Sequence, residues 1–477
     1  MCVLFFGALW SALTGAPEAQ GALAGRQIES IAIDSRQAVP GSLFVALRGE
    51  RQDGHDYVAD AFRRGAIAAL ISRPVPGCAA VWPVEGPFPA PDGQAPIGLL
   101  VPDVLVALQD LAAAWRRRHA GCRVIGVTGS VGKTSTKEAI AAVLSRRYRV
   151  LKSEGNYNNE IGLPLTLLQL HAGYQRSVLE MGMHALGEIA RLVEIAMPDV
   201  GVVTNVGPVH LERLGSIEAI ARAKAELPQG LPPDGVLVVN GDDPRVVAMA
   251  GQTAAATVIS YGLGAACDLR AERVESLGLQ GIEARFRYRG RPATRPVRLP
   301  WQGRHNVYAG LAAAAVGLAE GLTWDQITAG LVACQSLGRL RVVAGRVGAT
   351  ILDDTYNASP SSTVADLDLL ADLDGRRLAV LGDMLELGSY EEEGHREVGR
   401  RASEVLDVLV TVGPRSRSIA AEAQRLRPDL LVCTCDDCQS AAAWLLGELR
   451  AGDYVLVKGS RGMALEGVVA ALCEEEA

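Results

Sequence analysis

Residues 122–140 constrain this chain more than any other stretch. The run Cys122-Arg123-Val124-Ile125 reads as a strand, and Ser135-Thr136-Lys137-Glu138-Ala139-Ile140 reads as a helix. Between them lies Gly126-Val127-Thr128-Gly129-Ser130-Val131-Gly132-Lys133-Thr134. A strand, a Gly-rich turn and a helix N-terminus make a phosphate cradle, because backbone N–H groups converge there and the helix dipole favours an anion. Lys133 can reach terminal phosphates and the Thr134 hydroxyl can ligate Mg²⁺. The spacing is a short variant, Gly129-x-x-Gly132-Lys133-Thr134, with Val127 where the longer pattern carries its first glycine. An incidental lysine in a Gly-rich turn would not explain strand, turn, Lys and Thr falling in this order. Nucleotide binding is therefore expected.

A chain of 477 residues exceeds one ordinary core and predicts several domains. Hydrophobic content of 49% with 21% charged residues is that of a globular protein. A net charge of −7 argues against a general nucleic-acid or anionic-membrane surface, so anionic substrates must be met by local Lys and Arg. Nine scattered cysteines read as reduced cytosolic thiols. The cluster Cys433-Thr434-Cys435-Asp436-Asp437-Cys438 lacks the fourth ligand that structural zinc wants. Residues 1–10 are apolar but lack the leading positive charge of a signal peptide, and read as a buried first helix. No run of about 20 apolar residues predicts a membrane span.

Three α/β blocks are expected. Residues 1–101 form a small unit with strands at Ile31-Ala32-Ile33 and 43–47, a helix over 57–64, and a Pro/Gly-rich stretch over 74–96 that reads as loop. Residues 102–336 open with a helix at 104–118 and then alternate strands and helices, including strands at 177–179, 200–204 and 236–239. Such alternation predicts a mostly parallel sheet with helices on both faces. Residues 337–477 alternate again, with strands at 350–352, 377–381, 408–412 and 454–457, giving a Rossmann-like unit without a G-x-G-x-x-G fingerprint.

In open α/β sheets functional groups gather at the carboxyl ends of strands. Glu180 follows Ser177-Val178-Leu179 there, as a second Mg²⁺ ligand or as a solvated helix cap. His210, in Thr204-Asn205-Val206-Gly207-Pro208-Val209-His210, sits in a Gly/Pro loop placed where a ligand would be. Lys224, in an alanine-rich helix, reads from composition as a snorkelling surface residue. Gly155-Asn156-Tyr157-Asn158-Asn159-Glu160-Ile161-Gly162 and Asp353-Asp354-Thr355-Tyr356-Asn357-Ala358-Ser359-Pro360 fit either turn chemistry or binding.

Together with Gly382-Asp383-Met384-Leu385-Glu386-Leu387-Gly388 and Lys458-Gly459-Ser460-Arg461-Gly462-Met463, these stretches resemble the Mur ligases, ATP-dependent enzymes that build the peptidoglycan stem peptide. The shortened phosphate loop is that family's version. Within the family, the likeness is to the subgroup that adds D-alanyl-D-alanine to UDP-N-acetylmuramoyl-tripeptide. The Thr-Thr-Pro and Asp-Asn-Pro-Arg runs of the relative adding the third amino acid are missing.

The resemblance implies a cytoplasmic, monomeric ATP- and Mg²⁺-dependent ligase with domains at 1–101, 102–336 and 337–477. Gly129, Ser130, Gly132, Lys133 and Thr134 would hold phosphates, and Thr134, Glu180, His210 and Lys224 would serve the metals. Lys224 matches a lysine often carbamylated in these enzymes. Lys133, Glu180, His210 and Lys224 would be catalytic. Asn306, Arg339, Asp354, Tyr356 and Asn357 would contact ATP. Ser35 and Arg36, with residues 49–55, resemble the uridine-diphosphate site, Asn158 and Asn159 substrate contacts, and Lys458, Ser460 and Arg461 the dipeptide site.

The implied chemistry is attack of the tripeptide carboxylate on the ATP γ-phosphate, then of the dipeptide amine on the acyl phosphate. Closure of the domains would exclude water meanwhile. The rivals are a folate polyglutamate synthase and a nucleotide-driven switch. The extra N-terminal block and the Asn-rich turns disfavour the first. The second should carry an Asn-Lys-x-Asp motif, which is absent.

Overall fold

The computed structural model describes residues 4–17, 23–49, 51–78, 80–85, 96–292, 294, 296–335, 337 and 340–473. Among them the chain forms a five-stranded, a nine-stranded and a six-stranded sheet in succession, plus a two-stranded pair near the start.

The first helix, Phe6–Thr14, is buried at Phe6, Ala8, Leu9 and Trp10. It packs on the helix Val104–Arg118 in one apolar cluster, so the apolar start is core. The Asp103 side chain caps that second helix by accepting from the Val106 N–H at 2.9 Å, and three arginines close its last turn. The five-stranded sheet runs Ser30–Ala32, Ser42–Val45, Ala68–Ile71, Ile97–Leu100 and Ala80–Pro83, all parallel. Its last strand corrects the reading of residues 74–96 as loop. Proline is tolerated because this is an edge strand and Pro83 ends it. The prolines at 87, 89 and 91 lie outside the described residues.

The nine-stranded sheet runs from Val297–Leu299 through Ile282–Tyr288, Leu269–Ser276, Thr257–Gly262, Val236–Asn240, Val200–Val203, Arg123–Thr128 and Arg176–Glu180 to Val150–Lys152. It is parallel except for two antiparallel pairings at the Val297–Leu299 edge. Helices cover both faces, as alternate residues of each strand show. Leu179, Val203 and Leu237 pack with the helices Glu188–Ala196 and Ile217–Gln229, whereas Val178, Val202 and Val238 pack with Lys133–Leu144 and Val307–Ala319. Small residues seat the phosphate-loop helix closely. A Cβ on Gly330 would lie 2.5 Å from Val143 Cα.

The six-stranded sheet runs Arg341–Ala344, Thr350–Asp354, Tyr454–Lys458, Arg377–Gly382, Val408–Val412 and Leu431–Cys435, parallel apart from the first pairing. This is the Rossmann-like arrangement expected. Cys433 and Cys435 stand 3.7 Å apart at sulfur while Cys438 Sγ faces the Met463 carbonyl, and no group of three or more His, Cys, Asp or Glu placed to hold a metal ion forms among the described residues.

Candidate active site

Parallel register brings the carboxyl ends of three strands together, with Glu180 opposite Val127 and Val203 opposite Thr128. The phosphate loop leaves the middle strand at Gly129, whose φ is 147°, and enters the helix Lys133–Leu144 after Gly132 at φ 83°. Gly129 allows a close approach that no side chain would, since a Cβ there would meet Thr204 Oγ1 at 1.8 Å. A second loop braces the first. Val131 N–H donates to Asn205 Oδ1 at 2.9 Å, and the Asn205 amide and the Thr204 hydroxyl donate to the Val131 carbonyl at 2.9 and 2.7 Å. The Ser130 hydroxyl donates to the Gly207 carbonyl and accepts from the Gly207 N–H. Ser130 therefore shapes the cradle through that brace. Lys133 Nζ curls back to the Gly129 and Ser130 carbonyls at 2.8 and 3.1 Å.

Glu180 is buried to 1% exposure, which excludes the solvated-cap reading. Its Oε2 accepts from the Thr134 hydroxyl at 2.9 Å and its Oε1 from the Asn158 amide at 2.8 Å. One carboxylate thus ties the phosphate loop to the Asn-rich turn. Asn159 instead spends its Oδ1 on the Gly162 and Ile161 N–H groups, holding that turn at the start of the helix Gly162–Leu167. Lys137, which the sequence reading assigned no role, is buried on the same helix as Lys133. Its amine donates to the Ser153 and Gly155 carbonyls at 2.7 and 3.4 Å and pins the base of the turn.

Lys224 overturns its surface reading. It is 2% exposed on the helix Ile217–Gln229 and has no ion-pair partner among the described residues. Burial, with the charge of Lys133 adding to it, pushes its amine pKa well below the ordinary lysine value. His210 adopts φ 54°, its ring 4.8 Å from that of His184, and its Nδ1 lies 2.6 Å from Glu386 Oε2. Burial lowers the His210 pKa, partly opposed by that carboxylate.

From the third sheet, Asp354 and Lys458 end neighbouring strands in register, and the Lys458 amine pairs with Asp354 Oδ2 and, at 2.9 Å, with Asp366 Oδ2. Lys458 is 1% exposed, so its amine is engaged inside the fold, where sequence reading had placed it at the dipeptide. Ser460 is likewise buried, its Oγ accepting from the Leu385 N–H at 2.9 Å. Arg461 remains exposed, its guanidinium 5.9 Å from the Tyr356 ring centre and within 3.4 Å of Glu466. Tyr356 and Asn357 sit in the turn after Asp354, with Asn357 Oδ1 accepting from the Ala358 N–H. The Asn306 amide donates to the Gln302 carbonyl at 2.7 Å. Arg339 lies outside the described residues. In the first unit, Ser35 is buried, and Arg36 pairs with Asp34 at 2.6 Å while exposed. His55 is buried between Asp53 and the Ser72 N–H.

Three family descriptions match successive parts of the chain: "Mur ligase family, catalytic domain" at residues 27–116, "Mur ligase middle domain" at 127–317, and "Mur ligase, glutamate ligase domain" at 338–461. The chain belongs to the Mur ligase family. Among similar proteins is the UDP-N-acetylmuramoyl-tripeptide--D-alanyl-D-alanine ligase of Synechocystis, 40% identical over 453 residues, which are 94% of this chain and 93% of the relative. A crystal structure of MurF from Acinetobacter baumannii superimposes with a TM-score of 0.86 at 30% identity, covering all of both chains. MurF from Thermotoga maritima, solved in complex with ADP, gives 0.78 at 30% identity over 93% of this chain and 97% of that one. In the central unit Glu180 meets the phosphate loop at Thr134, and Lys224, on its helix, feels the charge of Lys133. His210 meets the third unit at Glu386, a contact the sequence reading did not foresee.

Proposed function

We infer that this Mur ligase joins D-alanyl-D-alanine to the C-terminal carboxylate of UDP-N-acetylmuramoyl-tripeptide with hydrolysis of ATP to ADP and phosphate, as a monomer in cytoplasmic peptidoglycan precursor synthesis. The observation that carries the reading is the Thr134–Glu180–Asn158 contact at the mouth of the phosphate loop, in a chain matched over 94% of its length by a ligase of that name. The three sheets suit a division of labour, with 1–101 taking the uridine nucleotide, 102–336 ATP, and 337–477 the dipeptide.

The site's chemistry fits a divalent cation. A hydroxyl and a buried carboxylate are hard oxygen donors of the type Mg²⁺ takes. When bound, Mg²⁺ supplies charge neutralisation on the phosphates, with Thr134, Glu180, His210 and Lys224 as its holders. A neutral Lys224 amine can add CO₂, forming an N–C bond and releasing a proton to water, and the resulting carbamate is an anion suited to that site.

Joining a carboxylate to an amine needs activation. The tripeptide carboxylate attacks the γ-phosphorus, the bond to ADP breaks, and an acyl phosphate forms. The uncharged dipeptide amine then attacks the acyl carbon and phosphate leaves. Two anions approach in the first step, so Lys133 and the N–H groups at the start of its helix, at the end of a loop whose shape Asn205 and Ser130 hold, lower the barrier electrostatically. Packing of the third unit on the cleft keeps water from the acyl phosphate. Asp354, Tyr356, Asn357, Arg339 and Asn306 are the proposed ATP contacts, and Ser35, Arg36, Asn158, Asn159, Ser460 and Arg461 the proposed substrate contacts. Lys458 acts through Asp354.

Phosphate release measured with UDP-N-acetylmuramoyl-tripeptide and D-alanyl-D-alanine, singly and together, tests the reading. Release that requires both, with a product heavier by the dipeptide residue, is expected. Release with a single amino acid in place of the dipeptide would move the chain to a sister ligase.

A further inference from the structure

The motif 382–388 has no assigned part in the chemistry, yet the fold invests heavily in its shape. Asp383 Oδ1 accepts from the Arg415 and Ser416 N–H groups at 3.0 and 2.8 Å. Met384 N–H donates to His395 Nε2 at 3.1 Å, and Leu385 N–H to Ser460 Oγ at 2.9 Å. Asp383, His395 and Ser460 are all buried. A loop anchored this way presents one side chain outward, Glu386, at φ 65°. A non-glycine residue in that conformation is uncommon and persists where its surroundings over-determine it.

What Glu386 faces is His210, itself left-handed at φ 54°, on a loop of the central unit. Glu386 Oε2 and His210 Nδ1 are 2.6 Å apart. The backbones also meet nearby. Gly388 has φ 53°, and a Cβ on it would lie 2.9 Å from the Glu212 nitrogen. Two strained positions, a glycine-only contact and a short polar contact therefore coincide where the third unit touches the central one.

We propose that Glu386 is a positioning residue for the ligase reaction, docking the third unit onto His210 and fixing its imidazole with the proton on Nδ1 and the lone pair on Nε2. A carboxylate only accepts, so it selects the Nδ1–H form and leaves Nε2 as the coordinating atom. A carboxylate behind a ligating histidine also fixes ring orientation and raises ligand basicity. Because Glu386 comes from a different unit, the prepared ligand exists only while the two units are packed together. Closure and metal-site assembly are then one event. The proposal rests on the reading of His210 as a metal ligand.

The test compares wild type with Glu386→Gly, which removes the carboxylate and relaxes a left-handed position, and so keeps the fold. Nitrogen NMR of the labelled imidazoles, with His210 assigned by its loss in His210→Gln, reads the tautomer without any metal. Wild type should show the Nδ1–H form and the variant a shift towards Nε2–H. Mn²⁺ binding in the presence of ADP should weaken roughly 10–100-fold in Glu386→Gly, the usual cost of losing such an outer partner. Glu386→Gln, which keeps an acceptor oxygen, should recover part of both. An unchanged His210 tautomer and unchanged Mn²⁺ affinity in Glu386→Gly would overturn the proposal and leave the ligase reading intact. Unchanged Mn²⁺ affinity in His210→Gln would remove the metal-ligand reading itself. Failure of the ligase reading would show separately, as phosphate release that ignores the two substrates.

Discussion

The Thr134 hydroxyl donates to Glu180 Oε2 at 2.9 Å, joining the first turn of the phosphate-loop helix to the end of the neighbouring strand. Glu180 also holds Asn158, so one buried carboxylate organises both the nucleotide side and the substrate-turn side of the cleft. Replacing it with Gln keeps the volume but offers Thr134 and Asn158 a mixed donor–acceptor group. Glu180→Gln should lose phosphate release and Mn²⁺ affinity together, with the thermal midpoint little changed. Loss of activity at full Mn²⁺ affinity would assign Glu180 to substrate positioning alone.

Lys133 is expected to supply charge where the two anions meet. Lys133→Ala should slow ADP formation by ~10²–10³, the usual cost of one preorganised donor. Single-turnover measurement at saturating ATP checks it. A rate within the error of wild type would remove Lys133 from the chemistry.

Lys224 carries a stability cost that function explains. Its folded pKa lies well below the unfolded value of 10.5, so between those two values the unfolded chain binds the extra proton. Stability should therefore rise with pH across that window. Lys224→Met should abolish that slope, raise the melting temperature near neutral pH and eliminate ligation. Thermal melts across pH, paired with phosphate release, test the three outcomes. A destabilised Lys224→Met would mean the amine contributes to the fold. Depleting CO₂ should slow the wild-type enzyme and added bicarbonate should restore it, as carbamylation requires.

Two carboxylates share the Lys458 ammonium, and burial pushes the Asp366 pKa up from 3.8 to about 7. Between those values the folded chain holds a proton that the unfolded chain releases, so this group's contribution to stability falls as pH rises through the window. Asp366→Asn should flatten that fall and leave the variant relatively more stable above pH about 7. Chemical denaturation at several pH values reads the slope directly. An unaltered slope would place the titration elsewhere.

Local chemistry was legible in the sequence, and long-range pairing was not. The phosphate loop, the helix Val104–Arg118 and the strand Val408–Val412 follow from runs whose meaning is set by adjacent residues. The strands Leu269–Ser276, Ile282–Tyr288 and Val297–Leu299 escaped because their polar, half-exposed faces dilute the apolar signal. Lys224 looked like a surface lysine because an alanine-rich helix does not reveal which face is covered. The Lys458 amine seemed available because Asp354 and Asp366 stand 104 and 92 positions away in sequence. His210 was noticed, but its partner Glu386 lies 176 positions on and is brought to it only by packing of the third unit.

The central claim is that this cleft activates a carboxylate by phosphorylating it. UDP-N-acetylmuramoyl-tripeptide with both oxygens of its terminal carboxylate replaced by heavy oxygen tests it most directly, by mass analysis of the phosphate released during ligation with D-alanyl-D-alanine. One labelled oxygen transferred to each phosphate is the predicted result, because the carboxylate oxygen that attacks the γ-phosphorus departs with it. Ligated product accompanied by unlabelled phosphate would contradict the account.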